Sequence, residues 1–509
     1  MPMQQRISFI LLLTTILTGC TSLPEKVTHV TDPVISQPNS TLSELIDTYR
    51  PEHSAKMSAY LLQESGWDAL SQRLALVETA KHSIDIQYYI WNNDTSGLYL
   101  ASRLLVAANR GVRVRVMLDD FNLNERDDLL VSFDNHPNIE IRLFNPVPTR
   151  SGLMRWLNMG SDFSRLNRRM HNKSFTVDGA MSVVGGRNIG DEYFDLSDEI
   201  NFRDRDVLVA GPVVAEIQAS FSEYWNSTWS YPVNLLSDTT SIDLATLENI
   251  KPPHYQHYPD LPEGSKIANQ LLNDLMGELS WGHAYFVSDR PVPEDANETN
   301  EPKATARLLS ELAQQAKQEI LLESAYLIFD DRQLTALQKL TDKGVQIKAL
   351  TNSMASNDLL PNHSGYAGRR HDMLENGVQL FELKPETILC EKSTRDPSKC
   401  APTASYGLHA KSAVYDRKIA TIGSFNFNLR STYLNTESVL VIENQEIAQH
   451  LVEAMEEAIN EDNSWRLSLH EDQVRWYSGE KSWESEPETG QWERIKSHFL
   501  QLLPIEKYL

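Results

Sequence analysis

The sequence predicts an α/β fold made of two similar lobes. At 509 residues the chain is too long for one ordinary domain, and its 41% hydrophobic and 23% charged residues are typical of a globular protein. The same order of helices and strands occurs on both sides of a proline-rich break, and one motif occurs once on each side, at 170–188 and 408–426. We therefore expect two lobes, each a mixed β-sheet flanked by helices.

The repeated elements alternate between helix and strand. In the first half, helical and strand-like segments follow the order 74–80, 83–91, 98–108 and 111–119. In the second half, the same order is found at 308–316, 319–329, 334–341 and 344–351. Strands that alternate with helices at this spacing predict parallel strands with helices packed on the faces of the sheet.

Composition places the boundaries of these units. Residues 1–19 have the charged start, apolar run and small residues of an export signal, and residues 20–50 are rich in Ser, Thr and Pro, which predicts a flexible tether. The lobes are predicted at 51–235 and 303–460. The proline-bearing connection between them covers 236–302, within which 265–290 allows a helix and a strand. A Trp-rich extension, 461–509, predicts a hairpin and a helix.

The end of the export signal, Leu17-Thr18-Gly19-Cys20, resembles the bacterial lipobox, in which the signal is cut before a cysteine that is then acylated. We therefore expect a membrane-anchored lipoprotein that faces the periplasm, and Thr21 favours the outer over the inner membrane. An ordinary cleaved signal with an incidental Cys20 is the alternative. The other two cysteines, Cys390 and Cys400, form either a disulfide, which an oxidising compartment favours, or two free thiols.

The charge distribution restricts the partners. A formal net charge of −23 repels polyanions, so no nucleic acid is expected, and any phosphate must be met by a local basic site. Residues 142–187 carry many arginines and few acids, which predicts a cationic surface beside the site. Within them, SGLMRWLNMG at 151–160 is either a loop that dips into a membrane interface or a short buried helix.

The paired motif carries the chemistry. Its fixed points in the first copy are His171, Lys173, Asp178, Gly186 and Asn188, and those in the second are His409, Lys411, Asp416, Ser424 and Asn426. A His-x-Lys pair at the start of a strand places an imidazole and an ammonium on one face, so one phosphate can contact both. The Asp is followed by a turn, so the next strand returns the Gly-rich segment and its Asn as donors to the same phosphate.

This pattern resembles the His-Lys-Asp signature of the phospholipase D superfamily, in which two such halves pack around one active site. The resemblance implies a two-step displacement that uses no metal or other cofactor. It assigns His171 as the nucleophile and His409 as the general acid and base, with the reverse assignment left open by the pseudo-symmetry. Lys173, Lys411 and the two Asn would hold the phosphoryl oxygens.

The resemblance also implies a carboxylate downstream of each motif that orients a histidine. Glu437 fits this role in the second half and Asp206 in the first, unless both are ordinary surface carboxylates. Asp178 and Asp416 are part of the catalytic signature, but we expect them to brace the lobes.

Longer segments are similar to the bacterial cardiolipin synthase C group, namely IDIQYYIWNNDTSG, RGVRVRVMLDD, DFSRLNRRMHNKSFTVDG and VGGRNIGDEYF. That resemblance implies transfer of a phosphatidyl group to a hydroxyl of phosphatidylglycerol, with phosphatidylethanolamine able to serve as a donor. The alternative is a phospholipase D that hydrolyses phospholipids to phosphatidic acid and a free alcohol, because water can replace the acceptor at the same site.

Overall fold

The computed structural model describes residues 23–24, 39–123, 126–150, 152, 160, 162–237, 242–253, 261–291, 301–503 and 505–509. The export signal, Cys20 and most of the segment 151–160 lie outside the described residues. Among the helices that the structure describes, none has both the length and the apolar character needed to cross a bilayer.

The first lobe contains a mixed sheet. The strands of the first half are β1 Ser58–Gln63, β2 Ser83–Tyr88, β3 Arg113–Asp119, β4 Ile139–Phe144, β5 Ser174–Val177, β6 Met181–Gly185, β7 Ile200–Arg203, β8 Asp206–Ala210 and β9 Ser230–Pro232. The sheet has the order β9-β4-β3-β2-β5-β6-β8-β1, in which β2, β3 and β4 are parallel and the motif strands β5, β6 and β8 are antiparallel. The order of its central strands is repeated in the second lobe.

The strands of the second half are β10 Ser280–Ser288, β11 Glu319–Ser324, β12 Gln346–Asn352, β13 Val378–Leu383, β14 Ser405–Leu408, β15 Lys411–Tyr415, β16 Ile419–Gly423, β17 Ser438–Glu443, β18 Ser464–His470, β19 Gln473–Ser478 and β20 Lys481–Trp483. Here β11, β12 and β13 are parallel, and β15, β16 and β17 are antiparallel. The duplicated α/β architecture predicted from the repeat is confirmed.

Strand β10 joins the two sheets into one sheet of eighteen described strands. Its first residues pair with β1, and residues 283–288 pair with β17. The predicted connection, 236–302, therefore contains both a helix, 265–276, and a strand that is shared by the lobes. Strands β7 and β14 form a separate parallel pair between the lobes.

Helices cover the sheet faces. In the first half they are α1 Thr41–Tyr49, α2 Gly66–Thr79, α3 Thr95–Asn109, α4 Asp127–Asp134, α5 Phe163–Leu166, α6 Val213–Trp225, α7 Leu244–Leu247 and α8 Ser265–Met276. In the second half they are α9 Ala304–Gln315, α10 Asp331–Thr341, α11 Leu360–Glu375, α12 Ile388–Ser393, α13 Leu429–Tyr433, α14 Gln445–Ala458 and α15 Gln491–Gln501. Side-chain caps from Ser65, Asp94 and Asp330 fix the starts of α2, α3 and α10.

Helix α1 corrects the predicted tether. Residues 41–49 are helical, Ser40 forms a capping box with Ser43, and Leu42 and Ile46 are buried in the core of the first lobe. The folded body therefore begins before Pro51. Two apolar residues four positions apart are enough to bury one face of so short a helix, but they give little periodicity in the sequence.

The motif hairpins turn as predicted. Asp178 and Gly179 both have positive φ, as do Asp416 and Arg417, which is the backbone of a type I′ turn. Asp178 accepts hydrogen bonds from the backbone N–H groups of residues 81, 82 and 83, at the start of β2. Asp416 does the same for residues 317–319 before β11. Each Asp thus fastens its hairpin to the central parallel strand.

The C-terminal extension belongs to the second lobe. Strand β18 pairs with β13, and Trp465 and Trp476 are buried in the core of that lobe, so the hairpin widens the sheet as well as covering it. A disulfide joins Cys390 to Cys400, and both residues are buried beside β14. A further apolar core, formed by β6, β8, β15, β16, β17 and helices α6 and α14, is shared between the lobes.

Candidate active site

The two motif histidines meet at one cavity between the lobes. The cavity has a volume of about 680 Å³, and its walls include His171 and Asn188 from the first lobe and His409 and Asn426 from the second. Both imidazoles are largely buried. The lobes therefore contribute equivalent halves to a single site.

Backbone hydrogen bonds cross between the lobes at each histidine. The N–H of His171 donates to the carbonyl of Thr436 at 2.9 Å, and the N–H of His409 donates to the carbonyl of Arg203 at 2.8 Å. The residue that follows each accepting carbonyl is a carboxylate, Glu437 in one case and Asp204 in the other. Each histidine is thus placed beside an acidic side chain from the opposite lobe.

These carboxylates hold the imidazoles. His171 Nδ1 lies 2.8 Å from Glu437 Oε2, and His409 Nδ1 lies 2.5 Å from Asp204 Oδ2. Because Nδ1 is occupied in both rings, Nε2 is the nitrogen that faces substrate chemistry. A carboxylate on Nδ1 also fixes the tautomer and stabilises the imidazolium that forms during proton transfer. Glu437 therefore orients the histidine of the other lobe.

The orienting role predicted for Asp206 is wrong, because Asp204 is the residue that contacts His409. Asp206 pairs with Gly185 in the sheet, as Val439 pairs with Gly423, so Asp204 is the structural equivalent of Glu437. Asp206 is instead buried against Arg73, with a 2.7 Å ion pair. Asp204 lies in the two-residue link between β7 and β8, and Asp206 is the first residue of β8. The sequence does not show at which residue the strand begins.

The difference between Gly186 and Ser424 follows from the two carboxylates. A Cβ atom at Gly186 would lie 2.2 Å from Asp204 Oδ1, so only glycine fits there. In the second lobe, Ser424 Oγ instead donates to Glu437 Oε2 at 2.5 Å, and Ser431 Oγ donates to Oε1 at 2.7 Å. Neither Gly186 nor Ser424 is among the residues that line the cavity. Their predicted contact with phosphate is therefore replaced by a role behind the histidines.

The motif lysines are buried next to the histidines. Lys173 Nζ donates to the carbonyl of His171 at 2.8 Å, and Lys411 makes the same contact with His409. Burial lowers the pKa of Lys173 to about 7 and that of Lys411 to about 8, although Glu437 and Asp204 oppose the shift. Two ammonium groups that are poorly solvated and close to one cavity favour an anionic ligand.

Burial also lowers the pKa of both histidines, which outweighs the attraction of their carboxylates. The neighbouring lysines lower it further. For Asp204, burial raises the pKa, but His409 and Lys411 overcome this effect and hold the pKa below its usual range. Burial thus favours the neutral form of both imidazoles, and a phosphodiester anion would add the negative charge that favours protonation of one of them.

The asparagines complete the cavity wall. Asn188 Oδ1 accepts a hydrogen bond from the N–H of Ile90 at 3.2 Å, and the Asn188 side chain also hydrogen-bonds the hydroxyl of Tyr193. Asn426 Oδ1 is buried and has no hydrogen-bond partner among the described residues. Both asparagines line the cavity. Asp178 and Asp416, by contrast, do not line the cavity and serve the hairpins.

Aromatic and acidic residues at the cavity were not found from the sequence. Tyr89 contacts the His171 ring edge-on with centroids 5.0 Å apart, and Tyr193 contacts His409 in the same way at 5.1 Å. Glu192 and Asp358 also line the cavity, and burial raises the pKa of both, that of Glu192 to about 7. Tyr89, Glu192 and Tyr193 lie in the segments that resemble cardiolipin synthase C, but none of these residues is a fixed point of the paired motif.

The predicted cationic surface at 142–187 is not present in the described residues. Arg150 pairs with Asp120 and Asp127, and Arg169 pairs with Asp119, all at low exposure. These aspartates lie before the basic segment in the sequence. The charge balance within the segment alone therefore led to a wrong prediction of a cationic surface. The arginines hold the segment onto the end of the parallel strands, where their charge is neutralised.

Comparison with known proteins agrees with this geometry. The model of the family described as cardiolipin synthase, phospholipase D-like domain, matches twice, at residues 74–225 and 309–459. The chain belongs to this family. It is an enzyme of the phospholipase D superfamily, which includes phosphatidyltransferases and phosphodiesterases.

Relatives match this phospholipase D-like enzyme over nearly its full length. Cardiolipin synthase C of Escherichia coli K12 is 38% identical over 467 residues, which cover 89% of this chain and 97% of that protein. An uncharacterized protein of Helicobacter pylori J99 is 31% identical and covers 96% of each chain. The crystal structure of phosphatidylserine synthase from Haemophilus influenzae Rd KW20 has a TM-score of 0.55 over 92% of this chain and 100% of that chain, at 14% identity, and shows a shared fold.

Separate substitution of Asp204 and Asp206 tests their different roles in this phospholipase D-like enzyme. Asp204→Asn removes the charge behind His409, and we expect kcat to fall by about 10²- to 10⁴-fold. Asp206→Asn breaks the buried pair with Arg73, and we expect it to lower the free energy of unfolding by about 3 kcal/mol. Lipid turnover and urea unfolding measure the two effects. If Asp206→Asn lost activity without loss of stability, the assignment would be reversed.

The buried lysines predict an alkaline limit to substrate capture. Because their pKa values are about 7 and about 8, both lose a positive charge as the pH rises through this range. We expect kcat/KM, which reports the free enzyme, to fall about tenfold or more per pH unit above pH 8. Since a bound phosphate raises these pKa values, kcat should persist to higher pH.

Lys173→Gln is the control for the pH profile of kcat/KM. It should remove the first part of the decline in kcat/KM, which is due to Lys173, and leave the part due to Lys411. Circular dichroism at each pH checks that the protein remains folded. A kcat/KM that is constant from pH 6 to 9 would contradict the assignment.

Proposed function

We propose that the chain is a phosphatidyltransferase of the cardiolipin synthase type, which transfers a phosphatidyl group through a phosphohistidine to a hydroxyl of phosphatidylglycerol. The observation that carries the proposal is the crossed pair of histidines at one cavity, each with Nδ1 on a carboxylate of the opposite lobe. Similarity to cardiolipin synthase C of Escherichia coli over 89% of this chain supports the choice of reaction.

In the first step, His171 Nε2 attacks the phosphorus of a donor phospholipid. The bond between phosphorus and the headgroup oxygen breaks, and His409, which is protonated on both ring nitrogens once the phosphodiester anion is bound, donates its Nε2 proton to the departing alcohol. Lys173, Lys411 and the cavity asparagines face the phosphoryl oxygens as negative charge builds on them. Glu437 stabilises the positive charge that develops on the His171 ring.

In the second step, a hydroxyl of phosphatidylglycerol attacks the phosphohistidine. His409 Nε2 removes the hydroxyl proton, a new phosphorus–oxygen bond forms, and the bond from phosphorus to His171 breaks. The histidines then return to their starting protonation states, because the proton given up in the first step is recovered in the second. The assignment of the two roles follows the superfamily resemblance.

The acidic groups of the cavity support a donor with a cationic headgroup. Glu192 comes from the first lobe and receives a hydrogen bond from Asn92 at 2.8 Å, and Asp358 comes from the second and receives one from Tyr326 at 2.9 Å. A carboxylate near the departing alcohol suits the ammonium of phosphatidylethanolamine. Phosphatidylglycerol, whose terminal glycerol is uncharged, remains the expected acceptor.

We expect the purified protein to convert phosphatidylglycerol to cardiolipin, faster when phosphatidylethanolamine is present. His171→Ala and His409→Ala should each reduce the rate by at least about 10³-fold, since each removes a partner in both steps. Mass spectrometry of the lipid products measures the outcome. Phosphatidic acid without cardiolipin would contradict the transferase proposal and support a hydrolytic phospholipase D.

A phosphatidyl ester of p-nitrophenol separates the two histidines, because this leaving group needs no general acid. His409→Ala should release one equivalent of p-nitrophenol and leave the phosphatidyl group on the protein, whereas His171→Ala should release none. The opposite pattern would reverse the assignment of nucleophile and acid.

We also propose that the protein is a lipoprotein anchored through Cys20 and facing the periplasm, with the outer membrane favoured by Thr21. The lipobox-like end of the export signal supports this location. Such an anchor would keep the enzyme at a lipid surface without a spanning helix.

Substitution of the anchor residue tests the location. Cys20→Ser should leave the signal uncut or release the protein from membranes, because neither acylation nor cleavage at the lipobox can then occur. Metabolic labelling with a fatty acid and fractionation of inner and outer membranes measure the effect. Wild-type protein that carries no fatty acid would contradict the proposal.

A further inference from the structure

The C-terminal helix α15 exposes an apolar face to solvent. Its four residues Trp492, Ile495, Phe499 and Leu502, which we call the C-terminal stripe, have exposed fractions of 75%, 55%, 63% and 80%. Their spacing of three, four and three positions places them on one side of the helix. Four large apolar side chains in a row are a substantial exposed patch for a folded protein.

An ordinary surface helix buries its apolar side, whereas α15 turns its apolar side, the C-terminal stripe, toward solvent. Here the side that faces the protein is polar. Ser497 is buried and its hydroxyl lies 3.1 Å from that of Ser364 on α11. At 100° per residue the stripe is centred opposite Ser497, so packing against the protein cannot explain its composition.

Exposed apolar residues also lie at the mouth of the catalytic cavity, on segments next to α15. Leu359 immediately precedes α11, the helix on which α15 packs, and lines the cavity with 47% of its surface exposed. After α15 the chain returns to the same mouth, where Tyr508 and Leu509 form part of the cavity wall. Phe163 of the first lobe is half exposed and contacts Tyr508 edge-on. Exposed apolar side chains are therefore present both on α15 and at the mouth of the cavity.

The residues beside the stripe complete the pattern. Lys496 and His498 are exposed and lie on opposite flanks of it, and Trp492 is at the start of the helix. Apolar residues flanked by basic ones, with a Trp at one end, are typical of a helix that lies in a bilayer interface, with its basic groups at the level of anionic headgroups.

We propose that the C-terminal stripe docks on an anionic phospholipid bilayer and directs the cavity mouth toward it. This inference rests on the proposed function, since it supplies the phospholipid substrate from the same surface. It assigns a role to the C-terminal extension, which carries none of the motif residues. The stripe would enter the interface to the depth of its side chains, with the mouth residues at headgroup level.

Depth-dependent quenching tests the docking without reference to catalysis. A bimane probe is attached to Phe499→Cys in the full chain, and to Ile267→Cys as the matched control, because Ile267 on α8 is 57% exposed. Vesicles contain phosphatidylglycerol and phosphatidylcholine with brominated acyl chains. We expect quenching at 499 to be at least about threefold stronger than at 267.

Equal quenching at the two positions would overturn the proposal. So would a probe at 499 that responds to protein concentration and not to brominated lipid, which would assign the stripe to contact with a second copy of the chain. Because neither result depends on turnover, a failure of docking can be distinguished from a failure of the proposed reaction.

Activity on two forms of substrate gives a second readout. The triple variant Trp492→Asn, Phe499→Asn, Leu502→Asn should lose about tenfold or more of its rate on vesicles, while its rate on dispersed dihexanoyl phospholipid stays within about twofold. The control triple variant Leu235→Asn, Ile267→Asn, Ile388→Asn changes apolar residues elsewhere that are about half exposed. Equal loss on both substrates by the stripe variant would overturn the proposal.

Discussion

The catalytic geometry depends on two backbone hydrogen bonds that cross between the lobes. His171 donates to the carbonyl before Glu437, and His409 donates to the carbonyl before Asp204. Because a backbone bond fixes the position of the residue that follows it, each imidazole and its carboxylate are aligned by the same contact that holds the lobes together. The parallel pair β7–β14 extends this contact beside His409, so the site and the interface are a single structure.

The two halves are similar in plan and different in detail. Behind His409, a short Asp side chain approaches so closely that position 186 has room only for glycine. Behind His171, the longer Glu437 is held by two serine hydroxyls, one of them at the position equivalent to Gly186. Hydroxyl donors share the carboxylate's charge, so Glu437 and Asp204 act on their histidines with different strength. This asymmetry gives a physical basis for distinct roles in an otherwise symmetric site.

The sequence predicted the parts of this protein that repeat. Periodicity and the motif pair led to the two mixed sheets, the turns at Asp178 and Asp416 and the meeting of the two histidines. It could not distinguish Asp204 from Asp206, because the sequence does not show at which residue strand β8 begins. Nor could it show that Arg150 and Arg169 are neutralised by aspartates from earlier strands, since that pairing is made by tertiary packing. Helix α15 shows the same limit, because its apolar periodicity predicts burial and its structure places that face outside.

The exchange of carboxylates also bears on the order of events during synthesis. The first lobe is complete long before residues 409 and 437 are made, yet until then His171 lacks its carboxylate and the phosphate site lacks half of its donors. A partly made chain therefore lacks the complete site, whatever stability its first lobe has. The two histidines and their carboxylates come together only when residues 409–437 have folded, so the duplication itself delays formation of the site until the second lobe is made.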